Sequence, residues 1–306
     1  MAVAGLDGWL FFTPELRYLG AGPFWGSDAA TASHVSNPAA ADPLEPIVDF
    51  NDQLAKAGID LLLVPVPAKA AIYPDKLIPG AKFDPANRVD AVQAEFLKVL
   101  NGKGVKTLDL GPVFAEYRKN HPDGPPLYCK TDSHWSGQGI SEAADAIGDY
   151  VKKQGWYAAV KKGAYKEMKV SVAADGDLLD LVTGDKPPQE TFTLTAVLST
   201  GGGSPSIESD PSSPLLLLGD SHNLIFSAGK EAGMIFKGAG FPENLTSRIK
   251  FAPTIEAVMG SGATPARVNL VRKPEELKGK KLVIWLFTGR EFTEGQGWRK
   301  VPVIKK

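Results

Sequence analysis

Leu215-Leu216-Leu217-Leu218-Gly219-Asp220-Ser221-His222-Asn223 is an apolar run that stops at a Gly-Asp-Ser turn. Four leucines bounded by turn residues read as a strand buried on both faces, the kind found in a parallel sheet. Open α/β sheets build their sites at the carboxyl ends of such strands. Ser221 therefore stands where a hydroxyl can meet a substrate. Alone the tripeptide is weak evidence, because Asp and Ser also cap ordinary strand-to-helix turns.

The surrounding chain repeats the pattern. Residues 59–66 form a second apolar run, leading into the loop Pro67-Ala68-Lys69-Ala70. Residues 281–287 form a third, ending at Thr288-Gly289-Arg290, and residues 105–110 and 7–12 supply further strand candidates. Between them, residues 49–57, 87–100 and 140–152 have helical periodicity; in the second, Val89, Val92, Phe96 and Leu100 share one face. Alternation of strand and helix predicts an α/β fold, a parallel sheet with helices on both faces. Residues 20–46 are rich in Gly, Ala, Ser and Pro and read as a long surface loop. The pattern turns β-rich over residues 160–212, with short strands expected at 170–172, 178–182 and 190–197. Gly201-Gly202-Gly203-Ser204-Pro205 is expected to be a loop. This stretch reads as an excursion from one catalytic domain covering residues 1–306.

Composition narrows the function. The chain of 306 residues carries 34 basic and 35 acidic side chains, a net charge of −1, which argues against a polyanion-binding protein and against nucleic acid. Hydrophobic residues make up 43%, ordinary for a globular protein able to bury a sizeable core. Cys129 is the only cysteine, so no intrachain disulfide forms; it reads as a small buried hydrophobe. No apolar stretch approaches the roughly 20 residues that span a bilayer. The opening Met1-Ala2-Val3-Ala4-Gly5 lacks the basic start and apolar run of an export signal, a start compatible with a signal or anchor having been removed.

The second chemical motif is Lys130-Thr131-Asp132-Ser133-His134-Trp135. A serine hydroxyl is a poor nucleophile near neutral pH and needs a base; an imidazole serves, oriented by a carboxylate. Ser221 as nucleophile, His134 as base and Asp132 as orienter make that arrangement, pointing to acyl transfer. His222 is a rival base, set aside for a supporting or substrate-binding role because neighbouring side chains diverge. Asn223 and the Ser221 amide are candidate donors to an oxyanion. Trp135 packs the His134 loop or stacks on a sugar. Arg290, Lys69 and Tyr73, each after a strand, are candidate substrate contacts. The histidines His34, His121, His134 and His222 show no metal-ligand spacing, and Gly201-Gly202-Gly203 lacks the Gly-Lys-Ser/Thr of a phosphate loop. No metal and no cofactor are expected.

Four stretches carry a family resemblance. They are Asp7-Gly8-Trp9-Leu10-Phe11-Phe12 with Glu15-Leu16-Arg17, the run from Val64-Pro65-Val66-Pro67-Ala68-Lys69 to Pro74, Thr131-Asp132-Ser133-His134-Trp135, and Gly219-Asp220-Ser221. In this order, over residues 5–292, the chain resembles the SGNH-hydrolase-like proteins of bacterial polysaccharide O-acetylation, the alginate acetylation proteins of the AlgJ/AlgX type. The resemblance implies a three-layer α/β/α fold of permuted SGNH order, with Asp132 and His134 before Ser221. It implies transfer of acetyl to sugar hydroxyls of an alginate-like exopolysaccharide acceptor, a periplasmic setting, and an acetyl donor supplied by a membrane-bound acyltransferase. The same residues would serve an acetylesterase if water were the acceptor. A non-catalytic polysaccharide-binding scaffold is the rival class. Little sequence follows the last strand, so a separate C-terminal carbohydrate-binding module is not expected. His222-Asn223 after the serine departs from the resemblance.

Overall fold

The structure, a computed structural model, describes residues 1–201 and 206–304. Its strands in chain order are β1 (Ala2–Ala4), β2 (Leu10–Phe12), β3 (Asp60–Val66), β4 (Lys106–Thr107), β5 (Tyr165–Ala174), β6 (Glu190–Ser199), β7 (Leu215–Gly219), β8 (Thr254–Ala257) and β9 (Leu282–Thr288). Five of these make one parallel sheet in the order β4-β3-β9-β7-β8. β9 lies at its centre, with Ile284 opposite Leu62 on one side and Leu217 on the other.

The leucine run is buried throughout because both faces of the sheet are covered. Leu215 and Leu217 join Leu62, Val64, Ile284 and Leu286 in one core. Leu216 and Leu218 join Leu61, Leu63, Val283 and Trp285 in the other. Strand side chains alternate between faces, so one run feeds both layers. Each buried leucine stabilises the fold by about 1.5–3 kcal/mol. The first core is roofed by the helices Leu110–Asn120, Gly137–Lys152 and Phe241–Ile249, the second by Leu44–Lys56, Ala91–Gly102 and Thr264–Arg272. The result is the expected three-layer α/β/α architecture. Gly137–Lys152 shows the local logic: the Ser136 hydroxyl accepts from the Gln138 and Gly139 amides, and Ile140, Ala143, Ala144, Ile147 and Val151 form its buried stripe.

Several expectations need correction. Residues 20–46 are not one loop: they hold a short helix, Ala29–Ala32, and 3-10 turns at Gly26–Asp28 and Pro38–Ala40. The next helix begins at Leu44, not residue 49; Pro46 lies in its first turn, where a missing N–H costs nothing. The strand expected at 105–110 shrinks to two residues, because the Asp109 carboxylate caps a helix starting at Leu110. In place of the strand expected at 178–182, residues 177–181 form a turn, with the Leu181 amide bonded to the Leu178 carbonyl. The residues expected at 170–172 and 190–197 are instead parts of ten-residue strands, β5 and β6, paired antiparallel from Tyr165 opposite Ser199 to Ala174 opposite Glu190. β6 sends Phe192 and Leu194 into the first core. The loop expected at Gly201 to Pro205 lies, beyond Gly201, outside the described residues. No helix among the described residues is long and apolar enough to cross a membrane.

Candidate active site

Because the sheet is parallel, the carboxyl ends of β3, β9 and β7 share one edge, delivering Lys69, Arg290 and Ser221 to it. After β7 the chain turns at once. Gly219 is required there: a Cβ would come 1.7 Å from the Leu286 carbonyl oxygen. Asp220 then caps the 3-10 turn Ser221–Asn223 by accepting from the His222 amide at 2.9 Å, and its other oxygen accepts from the Thr288 amide at 2.7 Å.

The loop 130–135 is carried to the same edge by four anchors. The Leu10 amide donates to the Lys130 carbonyl, and Tyr128 bridges to Trp135. The Glu190 carboxylate accepts from the Lys130 and Thr131 amides, both at 3.0 Å, and from the Thr131 hydroxyl at 3.1 Å. The Lys69 ammonium, fully buried, donates to the carbonyls of Leu10, Lys130 and Asp132 at 2.8, 3.3 and 2.6 Å. Burial lowers its pKa, opposed chiefly by Glu15.

Between these two segments runs one chain of hydrogen bonds. His134 Nδ1–H donates to Asp132 Oδ1 at 2.7 Å, and the His134 amide donates to the same oxygen at 2.9 Å. His134 Nε2 lies 2.8 Å from Ser221 Oγ. Two positions apart in an extended segment, Asp132 and His134 would merely point the same way; the turn closed by that amide bond is what makes them converge. The second oxygen of Asp132 accepts from the Asp177 amide at 3.0 Å. Burial pushes the Asp132 carboxyl up, but His134 and these hydrogen bonds outweigh it and hold it at about 2. Burial likewise pushes His134 down, and the Asp132 charge and hydrogen bond outweigh that, leaving its pKa raised. An imidazole so placed can take the Ser221 proton on Nε2 and share the resulting charge with Asp132.

Ser221 is 8% exposed and His134 7%, both at the floor of a pocket of about 480 Å³. Of the other expected contacts, Arg290 lines this pocket, with its guanidinium on Glu15 Oε1 at 3.2 Å and Thr288 Oγ1 at 3.0 Å. The rest lie elsewhere. Asn223 is wholly buried and turned inward, donating to the Leu286 and Asp220 carbonyls at 3.1 and 3.3 Å, so its amide is spent on the fold and cannot face an oxyanion. That leaves the Ser221 amide as the candidate donor. Trp135 is wholly buried, its Nε1–H donating to the His222 carbonyl at 3.1 Å, and offers no face to a sugar. Tyr73 is buried against Trp9 and its hydroxyl accepts from the Leu127 amide, outside the Ser221 pocket. Lys69 is a prop beneath the loop. His222 is buried behind the site, and Nδ1 lies 3.2 Å from Asp220. The Cys129 thiol is buried and pushed well up by that burial, consistent with an inert hydrophobe.

Sequence reading missed Asp177 and Glu190. Asp177 accepts from the Ser133 amide and hydroxyl at 2.7 and 2.6 Å besides donating its own amide to Asp132. The acidic run Asp175-Gly176-Asp177 hinted at it; nothing near Glu190 did. Asp132, His134 and Asp177 also place ligand-type atoms within 4.8 Å of one another, a grouping that could hold a metal ion. Their atoms are already engaged with one another and with Ser133, so a cation would have to break the Asp132–His134 hydrogen bond.

Comparison with known proteins shows the family to which this fold belongs. The family model described as "SGNH hydrolase-like domain, acetyltransferase AlgX" matches residues 2–289. The probable alginate O-acetylase AlgJ of Pseudomonas aeruginosa is 26% identical over 151 residues, 49% of this chain and 33% of that protein. Its counterpart in Pseudomonas putida is 25% identical over 230 residues, 72% of this chain and 54% of that protein. The chain thus spans about a third to a half of these relatives. Among solved structures, the O-acetyltransferase domain of Pseudomonas putida AlgJ superposes with a TM-score of 0.69 at 18% identity, covering 95% of this chain and 92% of that one. Pseudomonas aeruginosa AlgX gives 0.64 at 18% identity, covering 94% and 61%. With a family match running almost from end to end, the chain belongs to the SGNH hydrolase-like family of AlgX-type acetyltransferase domains, related to the AlgJ and AlgX proteins of alginate O-acetylation.

Proposed function

We propose that this chain is a serine-dependent O-acetyltransferase that acetylates sugar hydroxyls of a bacterial exopolysaccharide, as a single catalytic domain. The observation that carries the reading is the chain of hydrogen bonds from Asp132 through His134 to Ser221, at 2.7 and 2.8 Å, on the floor of an open pocket. Ser221 Oγ attacks the carbonyl carbon of the acetyl donor as His134 Nε2 takes its proton. The Ser221 N–H supports the negative charge that develops on the acyl oxygen. The imidazolium returns the proton to the leaving group, leaving acetyl-Ser221. A sugar hydroxyl then enters, His134 removes its proton, and the alkoxide attacks the acetyl carbon. Collapse expels Ser221 Oγ, which regains a proton from His134, and the sugar ester departs. Asp132 holds the tautomer and the positive charge at each step.

Family membership supports the physiological setting: the cell envelope, with a membrane-bound acyltransferase supplying the donor. The experiment supplies an activated acetyl ester and an oligosaccharide, and separates acetylated sugar from free acetate. The parent is expected to yield the sugar ester, and Ser221→Ala to lose roughly a thousandfold or more of that rate. Free acetate alone from the parent makes the protein an esterase. Undiminished transfer by Ser221→Ala would contradict the serine mechanism.

A further inference from the structure

Two residues before Asp132, Lys130 lines a second pocket, of about 250 Å³, that the acyl-transfer steps do not use. Lys76, Arg118 and Lys130 bring three cations to its lining against one carboxylate, Asp7. The three are not equivalent. Arg118 is committed to the fold: its guanidinium donates to the Ile72 carbonyl and to Asp75 at 2.7 Å, and lies between the rings of Tyr73 and Phe83. Lys76 pairs with Asp7 at 2.6 Å, but the Asp7 side chain is 66% exposed, where such a pair is weak and easily exchanged. Lys130 is partly buried, and its ammonium has no hydrogen bond or ion pair among the described residues. Its backbone, by contrast, is fixed: the amide donates to Glu190, and the carbonyl accepts from the Leu10 amide and from Lys69.

The far wall is equally fixed. A Cβ on Gly124 would lie 2.8 Å from His121 Cβ and 2.9 Å from Tyr117 Oη, the Tyr117 hydroxyl donates to the Pro125 carbonyl at 3.1 Å, and the Tyr117 and His121 rings stack 4.6 Å apart. The same two chain segments bound both pockets: Trp9 and Lys130 line this one, Phe12 and Asp132 the Ser221 pocket. Lys69 ties those segments together through the Leu10, Lys130 and Asp132 carbonyls. The Cα atoms of Lys130 and Asp132 are therefore at most about 7 Å apart. A polysaccharide laid across this divide offers different units to the two pockets at once. An unpaired ammonium on a fixed backbone, facing a wall of rings, suits a ring ligand that carries an acid group. Resting on the acyl-transfer reading above, we infer that this second pocket holds a carboxylate-bearing sugar unit of the acceptor chain, gripped by Lys130, while another unit of the same chain meets Ser221.

The test measures equilibrium binding of tetramannuronate, and of the uncharged mannotetraose, to the whole chain at low salt. Tetramannuronate should bind the parent more tightly than mannotetraose does. Lys130→Gln should weaken tetramannuronate by about tenfold and leave mannotetraose within about twofold of the parent. Lys130→Arg, which keeps the charge, should retain most of the affinity, so a loss from mere disturbance of the loop is told apart. Lys161→Gln is the control for net charge, since Lys161 lies beside Pro214 at the amino end of β7, the opposite edge of the sheet, and it should change nothing. Undiminished tetramannuronate binding by Lys130→Gln, an equal loss in Lys161→Gln or in Lys130→Arg, an equal loss for both tetramers, or no binding of tetramannuronate to the parent would overturn the inference. Acetylation of the parent at Ser221 by an acetyl ester, read separately by mass, shows which reading has failed. If Ser221 is acetylated while Lys130→Gln binds as the parent does, acyl transfer stands and only the subsite falls. If Ser221 is never acetylated while the Lys130 pattern holds, the subsite stands as a binding site and acyl transfer falls.

Discussion

The rings of His134 and His222 face each other 4.7 Å apart, centre to centre, tilted by 51°. Each closes the same tripeptide, Asp-Ser-His, at residues 132–134 and 220–222. Both tripeptides fold alike: one aspartate oxygen accepts from the histidine amide and faces its Nδ1, and the other accepts an amide from a distant segment, Asp177 in one case and Thr288 in the other. Yet the two histidines titrate in opposite directions. Burial lowers the His222 pKa and Asp220 only partly offsets it, whereas Asp132 outweighs burial and raises His134. Asp220 is nonetheless held at about 2 despite its burial, chiefly by its electrostatic attraction to and hydrogen bond with His222, with the Thr288 amide and the Arg290 charge adding to them. A neutral His222 leaves its neighbour free to become the imidazolium.

His222→Phe keeps the ring against His134 and removes a donor from the buried Asp220 carboxylate. The expected cost is about 1–3 kcal/mol of stability, seen as a lower denaturant midpoint. Acetyl-ester turnover should fall far less than in Asp132→Asn. A loss equal to that of Asp132→Asn would make His222, not His134, the working base.

Asp132→Asn preserves shape but removes the charge that raises His134 and fixes its tautomer. Turnover should fall by roughly 10³–10⁴-fold, as for loss of the equivalent aspartate in serine hydrolases. The acid limb of the residual activity should move to lower pH, because His134 loses its largest upward influence. An unchanged profile would show that His134 is not the titrating base.

Activity in the parent should rise with pH as His134 loses its proton, with a midpoint above the ordinary imidazole value of 6.5. Stability has its own pH signature. Asp132 and Asp220 are depressed from 3.8 to about 2, so they stabilise the fold above the unfolded value and lose that contribution as pH falls through the folded one. On the order of 2 kcal/mol from each should vanish between pH 4 and about 2, read from denaturant midpoints across that window. His134, raised, contributes below 6.5 and loses its contribution as pH climbs through its folded value.

Lys69→Met removes three charge-assisted hydrogen bonds and leaves buried carbonyls of Leu10, Lys130 and Asp132 without that partner. The expected loss is about 3 kcal/mol or more. Hydrogen exchange should quicken in residues 130–135 before it does in β7 or β9.

The apolar runs of β3, β7 and β9 were legible because strands buried on both faces need no partner information to be recognised. The Asp132, His134 and Ser221 trio was legible because its residue types are few and its spacing is local on each side. What was hidden depends on tertiary placement. Nothing in the string reveals that Asn223 turns inward to Leu286, or that Lys69 is spent on three carbonyls. The boundary errors have local causes: Asp109 starts a helix where a strand was expected to continue, and Pro46 sits in the first turn of a helix that composition alone reads as loop. Glu190 clamps a loop 59 residues earlier in the chain than itself, through bonds to Lys130 and Thr131 that no local pattern encodes.

The most direct measurement is the intact mass of the parent and of Ser221→Ala after brief exposure to an activated acetyl ester, followed by peptide mapping. The account predicts one acetyl group on the parent, located on Ser221 and discharged by an acceptor sugar, and none on the variant. Acetyl adducts of equal extent on both proteins, or donor turnover that survives the loss of Ser221, would contradict it.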